Sequence, residues 1–342
     1  MLYGHGNEIH QYIQGIKADF SSNIACGGTH PAILAHIKDS INLIGNYPEP
    51  DACSLREAIA RKEGVDLRQI VVTNGSTEAF YLLAQLFKNG KSLVFTPSFS
   101  EYEDAAKCHG HSISHQPSGK FNIQMTEQYD CVWLGNPNNP DGVVTDSDLI
   151  LNFCSNHPDA CLILDEAYHS LCHEYVSPLS CHNVPDNLVV VRSLTKLFAL
   201  PGLRLGYIIA SEEICESLSE IKMPWSVNAL AIEAGKFIMD KYEELKPDIN
   251  ALLKESSRFQ KLMAEIEMVS VSPSECNYFL VKLHKGTAGD LKKHLVDQHG
   301  FLIRDATNFR GLTSAHFRVA ALSPAQNNQL VNAIKTWIQK AF

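Results

Sequence analysis

The stretch 188–210 constrains this chain more than any other. Leu188-Val189-Val190-Val191 is an unbroken apolar run, which predicts a strand buried on both faces and ending at Arg192. Ser193, Thr195 and Lys196 follow in a tight polar cluster, with Arg204 eight residues after the lysine. Tyr207-Ile208-Ile209-Ala210 reads as the next strand. A lysine between two buried strands, with hydroxyls on one side and an arginine nearby, suits one chemistry in particular. Its partly desolvated amine joins an aldehyde as a Schiff base, while Ser193, Thr195 and Arg204 hold a phosphate. Pyridoxal phosphate (PLP) carries both groups. The same residues also suit an ordinary strand-end turn with a solvated lysine.

The rest of the chain repeats the pattern of a buried strand followed by polar residues. Ile70-Val71-Val72 leads into Thr73-Asn74-Gly75-Ser76-Thr77-Glu78 and then a helical run over 79–87. A strand, a small glycine turn and a helix form an anion-binding arrangement, because the free N–H groups of the first helical turn point at the ligand. An ordinary helix cap reads the same way. Ser92-Leu93-Val94-Phe95 ends in Thr96-Pro97-Ser98-Phe99-Ser100-Glu101-Tyr102, and a strand over 129–134 ends in Gly135-Asn136-Pro137-Asn138-Asn139-Pro140-Asp141-Gly142. A strand over 160–164 ends in Asp165-Glu166-Ala167-Tyr168. Strands with polar ends that alternate with helices predict a doubly wound, mostly parallel α/β sheet with its site at the carboxyl edge.

Before this sheet, a polar arm over 1–30 is expected to join the small domain, and a helix over 31–44 opens at a Thr29 cap with Pro31 in its first turn. The Asp19-Phe-Ser-Ser-Asn23 portion of the arm reads as too short and too polar for a core element. Tyr47 lies in a proline-stiffened loop. The large domain is expected over 31–228. Residues 229–342 are expected to hold a bridging helix around 230–264, bent at Pro247, and a small α+β domain with Arg304 and Arg318 on strands. Arginines at strand ends facing a cleft suit carboxylate or phosphate.

Composition closes several other routes. The 342 residues are 45% hydrophobic and 20% charged, as in an ordinary globular protein. With a net charge of −9 and scattered basic residues, no nucleic-acid partner is expected. No apolar run approaches a membrane span, and the N-terminus lacks a leader pattern, so a cytoplasmic protein is expected. The ten cysteines include no Cys-x-x-Cys pair and read as reduced thiols. His169, Cys172 and His173, with Cys181 and His182, have a loose ligand-like grouping, but no second cluster supports it and no metal is expected.

Taken together, Asp165-Glu-Ala-Tyr168, Ser193-Leu-Thr-Lys196 and Gly202-Leu-Arg204-Leu-Gly206 resemble the class I/II aminotransferase superfamily of fold type I PLP enzymes. The resemblance runs over nearly the whole chain. It implies PLP as cofactor, Lys196 as the Schiff-base lysine and Asp165 facing the pyridine nitrogen. It implies Tyr168 and Asn139 at the ring 3′ oxygen and Tyr102 as the stacking aromatic. Gly75, Ser76, Thr77, Ser193, Thr195 and Arg204 would form the phosphate cup. Tyr47 would reach the phosphate of a neighbouring subunit, which implies a homodimer with shared sites, and Arg318 would bind the substrate carboxylate. The usual Asn-Pro-Thr-Gly loop reads Asn139-Pro140-Asp141-Gly142 here.

Within the superfamily, two families are similar. The L-threonine-O-3-phosphate decarboxylases of cobalamin biosynthesis share His5-Gly6, Asp19-Phe-Ser-Ser-Asn-Ile24, Met223-Pro-Trp-Ser-Val-Asn-Ala-Leu230, Leu302-Ile-Arg304, Asn308 and Phe317-Arg318. The histidinol-phosphate aminotransferases are next. The first resemblance implies a lyase acting on a small amino-acid phosphate, with His5, Asn139, Arg304 and Arg318 on the substrate.

Overall fold

The computed structural model describes residues 6, 8–12, 15–121, 125, 128–173, 175–181 and 184–342. Seven strands make one large sheet: β1 (Ile70–Thr73), β2 (Lys91–Thr96), β3 (Ser112–Pro117), β4 (Cys131–Gly135), β5 (Cys161–Asp165), β6 (Leu188–Ser193) and β7 (Gly206–Ile209). Their order is β1-β7-β6-β5-β4-β2-β3. Strands β6, β5, β4, β2 and β3 pair in parallel, and β7 runs antiparallel between β1 and β6. All six residues of β6 are buried, as the apolar run 188–191 requires. Alternate side chains feed two separate cores. Val71, Trp133, Ile163, Val189 and Ile208 pack on one face; Val72, Leu134, Leu162, Val190 and Ile209 pack on the other. Helices cover both faces, which is the physical condition for a parallel sheet.

Register brings the polar strand ends together. Asp165 lies opposite Gly135 on one side and Val191 on the other. Because β7 is antiparallel, its first residue Gly206 lies opposite both Thr73 and Ser193. Arg204 therefore enters at the same edge as the turns that leave β1 and β6.

The smaller unit is a four-stranded antiparallel sheet of Arg304–Asp305, His316–Ala320, Tyr278–Leu283 and Val269–Val271. Its core sets Phe259, Phe279, Phe317 and Trp337 among aliphatic side chains such as Val281, Leu291 and Ile334. Four sequence expectations change in this structure. The arm does enter a core: Ala18–Asp19 pairs in parallel with Phe301–Leu302, and Phe20 is fully buried against Phe259 and Phe301. The helix expected from a Thr29 cap to residue 44 is Pro31–Asp39, capped by His30, and a short 3-10 turn Ile41–Gly45 follows it. Thr29 instead donates its hydroxyl to Ala199 O at 2.7 Å.

The bridging helix expected around 230–264 is three helices: Ala229–Asp240, Tyr242–Leu245 and Ile249–Ala264. Pro247 cannot continue a helix, and Asp248 restarts one by accepting from Ala251 N at 2.9 Å. Ala231, Ile232 and Ile238 of the first helix pack into the core of the large sheet, so the large unit extends past the expected boundary at 228. Only Ile249–Ala264 bridges, with Leu252 in the large core and Phe259 and Met263 in the small one. No helix among the described residues is long and apolar enough to cross a membrane.

Candidate active site

A cavity of about 1010 Å³ lies at the carboxyl edge of the large sheet, between it and the smaller unit. Thr77, Asn139, Tyr168, Thr195, Lys196 and Arg204 line it from the large unit, and Arg304 and Arg318 from the small one. Residues far apart in sequence therefore meet in one space. The arm forms a further wall, through Gly6 and Ser21 to Ile24. It is pinned at both sides of the site. Ala25 N donates to the Lys196 carbonyl at 2.9 Å, and Arg318 Nη2 donates to Ser21 O at 2.5 Å.

Lys196 sits in a short helix, Leu194–Leu197, that follows β6 directly, with Ser193 Oγ accepting from Thr195 N at 3.3 Å. The lysine Nζ lies 5.8 Å from the centre of the Tyr168 ring. Ser193 and Thr195 are buried, whereas Arg204 is exposed and has left-handed backbone (φ 56°).

Two glycines let the anion end close up. A Cβ on Gly75 would stand 2.5 Å from Arg204 Nη2, and a Cβ on Gly206 would stand 2.6 Å from Ser76 N. The first turn of helix Gly75–Leu86, the end of β6 and the Arg204 guanidinium thus form a cradle of N–H, hydroxyl and cationic donors. That donor set fits a phosphate. Gly75, Ser76 and Ser193 sit behind the cavity surface, as backbone and capping elements of the cradle.

Asp165 ends β5 and is buried. It accepts from Tyr102 Oη at 2.5 Å and from Ala167 N at 2.9 Å. Burial is the largest influence on its carboxyl and raises it to about 6, against those hydrogen bonds and the Lys196 charge, which lower it. Next to it, Glu166 is fully buried and takes Arg192 Nε at 2.9 Å, Tyr175 Oη at 2.6 Å and Ser177 Oγ at 2.7 Å. Arg192 also pairs with Glu63, so this buried charge sits between two carboxylates. An ion-pair network of this kind fixes the ends of β5 and β6 that carry Asp165 and Lys196.

Tyr102 does not line the cavity; its ring is buried, stacks on Trp133 at 5.9 Å, and its hydroxyl is held by Asp165. Phe99, three residues earlier in the same turn, does line the cavity. A sequence clue existed: both aromatics follow one strand end, and only the helical phase of Glu101–Cys108 separates them. Tyr81 and Glu101 also line the cavity unanticipated, joined by a 3.1 Å hydrogen bond.

Arg304 and Arg318 are register partners on adjacent strands and are both buried. Arg304 donates to Asp305 O at 2.6 Å and Asn308 Oδ1 at 2.7 Å, and its guanidinium lies 5.2 Å from the Phe309 ring centre. Burial, then the neighbouring Arg318, lowers Arg304 to about 10, so it stays charged at neutral pH. Arg318 donates to Asn139 Oδ1 and Ser21 O, while its Nε is buried without a partner.

Within the altered Asn-Pro-Asp-Gly loop, Asp141 accepts from Asn138 Nδ2 at 2.8 Å and Val143 N at 3.2 Å, so the aspartate closes the loop itself. Tyr47 is not brought to the cavity: it is 87% exposed and packs on Trp225. His5 lies outside the described residues, as does His182. His169 is half-buried, with its two ring nitrogens on Glu166 O and Ser170 Oγ, as a structural histidine is.

A doubly wound sheet with a lysine after a buried strand, an anion cradle and a buried aspartate defines a class. The family model for aminotransferase class I and II matches residues 15–334, and the chain belongs to that family, whose members are PLP enzymes. Among its relatives, the threonine-phosphate decarboxylase of Salmonella typhimurium is 31% identical, the match covering 97% of this chain and 95% of that one. The crystal structure of L-threonine-O-3-phosphate decarboxylase from Porphyromonas gingivalis superposes with a TM-score of 0.90 at 38% identity, covering 94% of this chain and 99% of that one. A histidinol-phosphate aminotransferase of Thermoanaerobacter sp. is 34% identical, covering 84% of this chain and 83% of that one.

Proposed function

We propose that this protein is a PLP-dependent carboxy-lyase that converts L-threonine O-3-phosphate to aminopropanol phosphate, a step of cobalamin side-chain synthesis. The observation that carries the reading is the Arg304–Arg318 pair. Two buried guanidiniums, paired across adjacent strands and facing one cavity, repel each other unless a ligand of more than one negative charge lies between them. A phosphate monoester supplies that charge. The decarboxylase relatives support the same substrate.

The residues present fit the cofactor. Lys196 would attach it, Thr77, Thr195 and Arg204 would hold its phosphate with the Gly75 and Ser76 backbone and Ser193, and Phe99 would face its ring. Asp165 would meet the pyridine nitrogen, with Tyr168 and Asn139 at the 3′ oxygen. When bound, PLP supplies an electron sink for whichever substrate α-carbon bond stands perpendicular to its ring. Arg304 and Arg318 decide which bond that is. Holding the phosphate, they leave the carboxylate without its usual arginine, so it can turn out of plane. Lys196 Nζ, in the same cavity, is suited to return a proton to the α-carbon. Gly6 lies against Ser21 and Arg318, which supports an arm that covers the substrate, and a contact of His5 with the phosphate belongs to the same proposal.

A homodimer with shared sites belongs to the proposal. Tyr47 lies amid exposed apolar side chains, Ile44, Met223 and Trp225, which suit a subunit interface better than water. One observation favours an aminotransferase reading, of the histidinol-phosphate type, instead: Arg318 is fixed by Asn139 and Ser21, as an arginine that holds the carboxylate of an amino-acid or keto-acid co-substrate would be. Incubation with O-phosphothreonine and no keto acid separates the two. Carbon dioxide and aminopropanol phosphate should form over many turnovers. Turnover that requires a keto acid would overturn the lyase reading in favour of the aminotransferase.

A further inference from the structure

Arg304 owes its placement to the segment that follows it. Ala306, Phe309 and Leu312 form a small apolar cluster with Leu280, and two turn hydrogen bonds, Phe309 N to Ala306 O and Leu312 N to Phe309 O, both 3.1 Å, stiffen the loop. From this loop Asn308 Oδ1 accepts from Arg304, and the Phe309 ring lies against its guanidinium. The next residue, Arg310, reaches out of the smaller unit altogether. Its Nε and Nη2 donate to the two oxygens of Glu103 at 3.0 and 2.6 Å, across 207 residues of sequence.

Glu103 belongs to helix Glu101–Cys108, and the residues just before it, Phe99 to Glu101, line the cavity from the large unit. Lys107 Nζ at 2.5 Å and His115 Nε2 at 3.1 Å also bind this carboxylate. The Arg310 hydrogen bonds and these neighbours hold Glu103 down to about 2, so the anchor stays charged throughout the working range. An isolated surface ion pair contributes little, but a fork-on-carboxylate contact backed by the Lys107 ammonium and the His115 hydrogen bond is the geometry in which such pairs do count.

We propose that Arg310 is a positioning residue: through its two-pronged pair with Glu103 it ties the 305–312 loop to the large unit and so sets Arg304 over the substrate phosphate. The inference rests on the phosphate-ester reading above. It assigns a role in substrate binding to a residue that does not touch the substrate.

The test uses the holoenzyme, its cofactor cradle filled, as parent, Arg310→Met, Glu103→Gln and the double variant. KM for O-phosphothreonine and the inhibition constant for inorganic phosphate should each rise about fivefold in either single variant, with kcat within about twofold. The double variant should be no worse than the singles, because one pair is being broken in all three. Arg310→Lys, which keeps the charge and loses the fork, should recover part of the affinity. Unchanged KM and phosphate inhibition in Arg310→Met would overturn the proposal, as would additive losses in the double variant. Phosphate inhibition is informative even if O-phosphothreonine is not turned over; it can be measured as displacement of bound phosphate. Failure of the substrate reading and failure of the latch are therefore seen separately.

Discussion

The Tyr102 hydroxyl donates to Asp165 Oδ2 at 2.5 Å, with both side chains buried. This bond is one of the influences that lower the Asp165 carboxyl against its burial. Tyr102→Phe keeps the ring packed on Trp133 and Phe80 and deletes only that influence. Asp165 then becomes harder to ionise and holds a protonated ring nitrogen less well. Cofactor affinity, measured by absorbance titration, should fall about tenfold, in line with ~1.5 kcal/mol for a hydrogen bond to a charged group. Unchanged affinity would show that Tyr102 serves packing alone.

Asp165 also makes the apo-protein sensitive to pH. Its folded value of about 6 is above the ordinary 3.8, so between those values the folded state binds more protons than the unfolded chain. Stability therefore falls as pH rises through that window and stays reduced above it. Asp165→Asn removes the charged form. Its apo-protein should melt a few degrees above the parent at pH 8, with a ceiling of ~3 kcal/mol, and lose this advantage below about pH 4. The same variant should bind cofactor poorly, which is the signature of a group that costs stability for function. A parent that outlasts the variant at pH 8 would contradict the assignment.

Glycine at 206 is required by close approach. A Cβ there meets three backbone atoms within 2.9 Å, on Gly75, Ser76 and Arg192, none of which can swing aside as a side chain end would. Gly206→Ala should cost roughly 2–4 kcal/mol in chemical denaturation and loosen the cradle, so cofactor affinity falls as well. A stable variant with normal cofactor binding would mean that the two strands separate easily.

Sharing of the site between subunits predicts complementation. Tyr47→Ala and Lys196→Ala homodimers should each be inactive, and borohydride should no longer fix cofactor to the 196 peptide in the second. Mixed under conditions of subunit exchange, they form hybrids in which one site holds both residues. Up to about a quarter of parental activity should return, since half the dimers are hybrids with one intact site each. No recovery despite proven exchange would place Tyr47 outside the neighbour's site.

Much of this molecule was legible because it is written in short runs. The unbroken apolar segment of β6 could only be a strand buried on both faces, and Lys196 had to follow it. The polar residues after β4 and β5 fell at one edge because parallel strands must all point the same way, and those after β1 join them because two antiparallel pairings through β7 turn β1 to the same direction. What sequence could not settle was phase, register and distance. Phe99 and Tyr102 are both aromatics after one strand; only the turn into helix Glu101–Cys108 decides that the first faces the cavity and the second lies behind Asp165. Phe20 lay hidden in a polar run because its burial depends on a two-residue pairing with Phe301–Leu302, a contact no local pattern encodes. Arg304 and Arg318 were recognisable singly, but their pairing, and the Glu103–Arg310 contact that steadies the loop between them, exist only once strands and units are packed. Side-chain type and periodicity are local properties and survive in the sequence. Which side chains meet across hundreds of residues is set by the cooperative packing of the whole chain, so the tertiary structure alone decided it.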